Sequence, residues 1–252
     1  MRAIIALSLG VLLASCASGG PPRQVIERWE RAVANAPGAA QPSRIVATEL
    51  GFARAAQEQG QWTATLDYAA PGAVLHGRNG PVDAATTLGR LRNPEQSAAW
   101  STRTVVMSCD GALAVSQGRF MDAERKVGNY VTVWKRQSDG SYRWQYDVAG
   151  RDDPQPAPRV EPDIPEGAIV VEALDTIRGL VADCTRGREV PPPPALSLAS
   201  EHPQNAVLSR DGTLRWRWEH RPDGIKYVAV DFYSGGKWQT PLEEALTSPP
   251  AG

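Results

Sequence analysis

The sequence predicts an α+β protein in which helices cover one long antiparallel meander and a smaller β extension follows. Three observations carry this. Apolar residues recur at helical spacing through the first ninety residues. From 98 to 148 the chain turns rich in Val, Thr, Trp and Tyr, cut by Asp-Gly pairs. Beyond proline-rich stretches at 151–166 and 187–195, short alternating segments resume between further Asp-Gly and Gly-Gly turns.

The chain opens with Arg2 and an apolar run over 3–13. That run is shorter than the roughly twenty residues a membrane-spanning helix needs, so 1–15 reads as a signal peptide. Leu13-Ala14-Ser15-Cys16 resembles the bacterial lipoprotein signal, in which the cysteine is acylated and becomes the first mature residue. Several acyl chains, at ~0.8 kcal/mol per buried methylene, hold more firmly than one. The polar stretch 16–23 then serves as a tether. Ala17 after the cysteine implies sorting to the outer membrane, facing the periplasm. The alternative is an ordinary secretory peptide with a cysteine near its cleavage site.

Val25, Ile26, Trp29 and Val33 predict a first amphipathic helix, stopped by Pro37-Gly38. Ser43 as N-cap and Gly60 as terminator bound a second helix over 44–59. A third starts at Trp62 and Leu66 and ends before Pro71, whose ring and missing N–H oppose continuation. A short strand over 73–76 and a helix over 82–91 precede the meander. In its last hairpin, a Ser138-Asp139-Gly140 loop sets Trp134 opposite Trp144 and Thr132 opposite Tyr146. One face then carries Tyr130, Trp134, Tyr142, Trp144 and Tyr146, and the other Val131, Val133, Lys135, Arg143, Gln145 and Asp147. The aromatic face requires cover, which the upstream helices can supply. Residues 168–186 read as strand-like. Leu214, Trp216 and Trp218 alternate with Arg215, Arg217 and Glu219 as in a half-buried strand. So small a sheet needs a partner surface, and docking on the first unit is expected. The domain reading is 24–150 for the main unit with its preceding helix and 167–252 for the β extension.

The 252 residues carry a net charge of −1, with charges of both signs interspersed. That gives no basis for nucleic-acid binding or electrostatic membrane attachment. With Cys16 lipidated in an oxidising compartment, Cys109 and Cys184 are expected to pair. Scattered His76, His202 and His220 show no metal-ligand spacing, so neither a metal nor another cofactor is expected. The sequence contains no phosphate-binding glycine loop, serine elbow or zincin helix.

The run Gly128-Asn129-Tyr130-Val131-Thr132-Val133-Trp134-Lys135-Arg136-Gln137, with Asp139-Gly140-Ser141-Tyr142-Arg143-Trp144, resembles the NTF2-like (SnoaL/ketosteroid isomerase-like) superfamily, in its DUF4440-type members. The resemblance covers about 43–149. It implies a cone: a bent sheet around helices, with an apolar cavity at the open end. Trp62, Leu66, His76, Trp144 and Tyr146 would line that cavity. The superfamily holds enzymes and simple binders alike, so fold does not settle function. No catalytic triad of its isomerases can be aligned. His76, Asp67 and Asp147 are the weak candidates for acid–base chemistry, and Asp122 reads as a turn residue. Three readings stay open. The leading one is non-catalytic binding of a small apolar ligand or an envelope partner. The others are an isomerase or dehydratase using His76 with an aspartate, and a structural homodimer joined through the sheet face.

Overall fold

The computed structural model describes residues 39–157, 176–185, 189–196 and 204–248. The expected signal peptide, Cys16, the tether and the first amphipathic helix lie outside them, as do 158–166 of the first proline-rich stretch and His202. Three helices are seen among the described residues: α1 (Pro42–Gln59), α2 (Gln61–Asp67) and α3 (Ala84–Leu88). Seven strands form one sheet: β1 (Ala69–Gly77), β2 (Gly80–Asp83), β3 (Ala99–Met107), β4 (Leu113–Met121), β5 (Val127–Arg136), β6 (Tyr142–Arg151) and β7 (Arg178–Val181). Their order is β2-β1-β6-β5-β4-β3-β7. β1 runs parallel to β6 and β7 parallel to β3, while the other neighbours are antiparallel. Four more strands form a second, antiparallel sheet: β8 (Gln204–Leu208), β9 (Leu214–His220), β10 (Lys226–Ser234) and β11 (Lys237–Leu246).

This architecture corrects the expectation of an α+β, NTF2-like cone. Among the described residues 47% lie in strands and 16% in helices. The physical reason lies in the large sheet, which is buried on both faces. Ile45, Val105, Met107, Ala114, Trp134, Tyr142 and Trp144 pack on the helix side. Val106, Leu113, Val115, Val131, Val133, Tyr146 and Val148 pack against Leu214, Trp216, Val228, Val230, Phe232, Leu242 and Leu246 of the second sheet. The C-terminal strands are therefore one wall of a principal core rather than an appendage.

The second sheet is fastened at several points. Lys226 Nζ donates to the Ala149 carbonyl at 2.6 Å, and Gln117 Nε2 to Glu244 Oε1 at 2.9 Å. Two turns of the same sequence pattern meet face to face. In Ser108-Cys109-Asp110-Gly111 the Ser108 hydroxyl donates to Asp110, and in Ser209-Arg210-Asp211-Gly212 the Ser209 hydroxyl donates to Asp211. The Asp110 amide then donates to Asp211 at 2.8 Å, and the Cys109 amide to Thr213 Oγ1 at 3.0 Å. Cys109 is joined to Cys184 by a disulfide with Cα atoms 5.2 Å apart. The bond ties this double turn to the chain leaving β7.

The β5–β6 hairpin corrects the expected register. Trp134 does face Trp144, but Val133 pairs with Tyr146 and Thr132 with Asp147, across a register shift between Val133 and Trp134. The extra residue on β6 reverses the alternation beyond it. Trp134, Tyr142 and Trp144 stay on the helix side, whereas Tyr146 turns to the second sheet. Asp147, expected beside Val131 and Val133, instead receives a hydrogen bond from Thr132 Oγ1. Gly118 permits the neighbouring cross-strand contact, since a Cβ there would lie 2.7 Å from the Tyr130 ring. The helix expected over 82–91 begins instead as β2 and turns helical only at Ala84, where the Asp83 side chain caps the Thr86 amide.

Candidate functional site

The groups that sequence reasoning set aside for chemistry fall on opposite faces of the large sheet. Trp62 and Leu66 are half-buried on α2, in the helix layer, and buried Trp144 donates its indole N–H to the Thr65 carbonyl. His76 and Tyr146 lie instead on the seam with the second sheet. The five residues expected around one cavity are thus split three and two, because β6 changes face between Trp144 and Tyr146. Asp67 is exposed and contributes only its backbone carbonyl, which accepts from Arg143 at 2.6 Å. Asp122 accepts from the Lys126 amide in its turn and pairs with Arg151.

On the seam, a directional chain of hydrogen bonds links the two sheets. His76 comes from the end of β1, Tyr146 from β6, and Trp218 and His220 from β9. His76 Nδ1 meets the Tyr146 hydroxyl at 2.5 Å, and His76 Nε2 meets His220 Nδ1 at 3.0 Å. The Tyr146 ring lies 4.7 Å from Trp216, and the His76 ring packs edge-on against Trp218 at 5.1 Å. Burial pushes the His76 imidazole down to about 4, and the nearby His220 and Lys226 push the same way. Burial also holds the Tyr146 hydroxyl well above its ordinary range, with Asp147 adding to it. In a neutral imidazole one ring nitrogen donates and the other accepts, so the Tyr146–His76–His220 chain runs in one direction along its length, with the tautomer of His76 setting which. Lys226 is itself pushed down to about 8, chiefly by burial.

His220 carries this chain to the surface. It borders a cleft of about 670 Å³ walled by Arg78, Asn79, Pro222, Ile225 and Ser248. Asp153 and Asp223 also line it, so both signs of charge meet there. A smaller neighbouring cleft of about 360 Å³ shares Asp153 and Thr247 with it.

A second polar cluster, missed in the sequence, lies under α1. Glu49 is buried, accepting from Ser116 Oγ at 2.6 Å and from the Trp100 indole at 2.9 Å. Trp134 donates to Ser116 Oγ at 2.9 Å, and Tyr130 and Thr102 hydroxyls meet at 3.2 Å. Burial drives the Glu49 carboxyl up to about 7, against those two hydrogen bonds. Half-buried Asp147 is driven up to about 6, also chiefly by burial. The available signal was position: Glu49 stands four residues after Ile45, on the buried stripe that continues to Ala56. Both Glu49 oxygens are committed to donors, so this cluster holds the helix to the sheet. Among the described residues no group of three or more His, Cys, Asp or Glu is placed to hold a metal. No described helix is long and apolar enough to cross a membrane.

Comparison with known proteins leaves the family open. No family model matches the chain, and no curated protein matches it. The NTF2-like resemblance is overturned: no family model matches, and the described residues are mostly strand with few helices. Among solved structures, the chain is similar to one described as a candidate calcium/calmodulin-dependent kinase II association domain from Exiguobacterium sibiricum, with 16% identity and a TM-score of 0.32 over 54% of this chain and 99% of that one.

Proposed function

We propose that this is an outer-membrane lipoprotein, facing the periplasm, that binds a small polar molecule in the cleft beside His220. The observation that carries the reading is the cleft itself, where a buried Tyr146–His76–His220 chain ends at an opening of about 670 Å³. Arg78 and His220 on one hand and Asp153 and Asp223 on the other suit a ligand with hydrogen-bonding groups of both kinds rather than a purely apolar one. Binding is favoured over acid–base catalysis because the groups with displaced acidity are already engaged. His76 uses both ring nitrogens, and Glu49 both oxygens, in the interior. Native mass spectrometry of the protein purified from its own envelope tests the reading. The expected spectrum shows a non-covalent adduct of small-molecule mass that Arg78→Ala and His220→Ala each deplete. An adduct-free wild type, or an adduct retained in both variants, overturns it.

A further inference from the structure

The proline run 191–194 was expected to be a linker, yet it lies across the outer face of the second sheet. The Trp238 indole donates to the Pro191 carbonyl at 2.8 Å, and Arg215 Nη1 donates to the Pro194 carbonyl at 2.6 Å. Consecutive prolines favour the polyproline II helix, which repeats every three residues, rises about 3.1 Å per residue and leaves every carbonyl without an internal partner. Carbonyls at positions 191 and 194 therefore point the same way, about 9 Å apart. Trp238 stands on β11 and Arg215 on β9, with β10 between them. Trp238 pairs with Tyr233 and Arg215 with Asp231, so the two donors stand diagonally across the sheet, two strands and two residues apart, and their long side chains reach the two carbonyls from either side.

The receiving surface is built rather than incidental. Arg215 and Asp231 form an ion pair at 2.6 Å whose side chains are only 9% and 5% exposed, although both point away from the core. Asp231 also accepts from Thr240 Oγ1 at 2.7 Å and lies 3.4 Å from Arg217 Nε, so the Arg215 guanidinium is held in place. Tyr233 packs edge-on to Trp238 with centroids 6.0 Å apart, leaving both rings half-buried beside the prolines. An indole N–H donating to a proline carbonyl beside aromatic rings is the chemistry by which grooves read proline-rich peptides.

We infer that the outer face of β9–β10–β11 is a binding surface for extended proline-rich peptides, filled in this chain by its own residues 191–194. A free proline-rich peptide competes with this tethered one, whose effective concentration is in the millimolar range. The test uses the full mature chain carrying Pro191→Gly, Pro192→Ser, Pro193→Gly and Pro194→Ser, and a labelled peptide copying residues 189–195. Fluorescence anisotropy should show the peptide binding this variant at least about tenfold more tightly than wild type, with Trp238→Ala in the variant reversing the gain. A folded variant that binds no better than wild type overturns the inference. Should the variant fail to fold, Trp238→Ala in the otherwise native chain takes its place, read by limited proteolysis. Cleavage within 187–196 should accelerate about tenfold, and an unchanged rate is equally fatal.

Discussion

Glu49 and His76 are buried on opposite faces of the large sheet, and their acidities are displaced in opposite directions. For Glu49 the folded value is about 7 against an ordinary 4.5, so across that interval the folded state binds more protons and stability falls as pH rises. Asp147, raised to about 6, has the same sign. For His76 the folded value is about 4 against 6.5, so the unfolded state binds more protons and stability rises with pH in that interval. Between pH 4.5 and 6.5 two carboxyls oppose one imidazole, so the stability of the wild type should fall with rising pH. Each proton difference is worth up to about 1.4 kcal/mol per pH unit. Glu49→Gln should therefore be nearly flat in this window, since Asp147 and His76 then offset one another, and His76→Asn should lose stability with rising pH more steeply than the wild type. Urea unfolding at pH 4.5, 5.5 and 6.5 measures both, and three parallel curves would refute the assignment. Trp134 has no exposed surface and donates to Ser116, so Trp134→Ala should cost about 3 to 5 kcal/mol in the same assay. A loss below 1 kcal/mol would contradict its place in the core.

At the scale of elements, the strands of the meander were legible because Val, Thr and aromatic residues stand between Asp-Gly turns. The extra residue on β6 was not. Nothing in Trp144-Gln145-Tyr146 marks a bulge, yet it moves Tyr146 and Asp147 to opposite faces from those expected. A readable sign of two-sided burial did exist: Val105-Val106-Met107 and Val131-Thr132-Val133-Trp134 are nearly continuous apolar or buried runs, where a one-sided strand alternates. β7 is a four-residue edge strand, paired on one side with β3 and followed by Cys184. The 109–184 disulfide closes a separation of 75 residues, for which the chain-entropy model gives about 4 kcal/mol. Cys109→Ser with Cys184→Ser should lower the unfolding free energy by a loss of that order. It should also raise amide exchange first in β7. Uniform exchange with unchanged stability would show that the bond constrains neither state.

The described residues pack in three layers: helices, a seven-stranded sheet, and a four-stranded sheet that closes the second core. Tyr146, Trp216 and Trp218 belong to that closing interface, so the seam with His76 and His220 exists only when both sheets are present. The proposed placement of this body at the outer membrane rests on the resemblance of Leu13 to Cys16 to a lipoprotein signal. Cys16→Ser should release the protein from the envelope membrane fraction and remove the acyl mass from the mature chain. Intact-mass measurement decides it, and a wild-type chain without acyl mass would refute lipidation.

Composition and local pattern determined what depends on near neighbours: the α1 and α2 helices, the strands of the two meanders, the Asp-Gly turns and the cysteines available to pair. Hydrophobic periodicity reports whether a residue is buried, but not against what. The partner of each face was decided by tertiary packing, which placed the C-terminal sheet over Val106, Val115 and Val131 and so built a predominantly β fold. The same packing brought His76 to His220 across 144 positions and laid the proline run on Trp238 and Arg215. Contacts of that range pay loop-closure entropy that only the assembled core returns, and a local reading of residues does not register them.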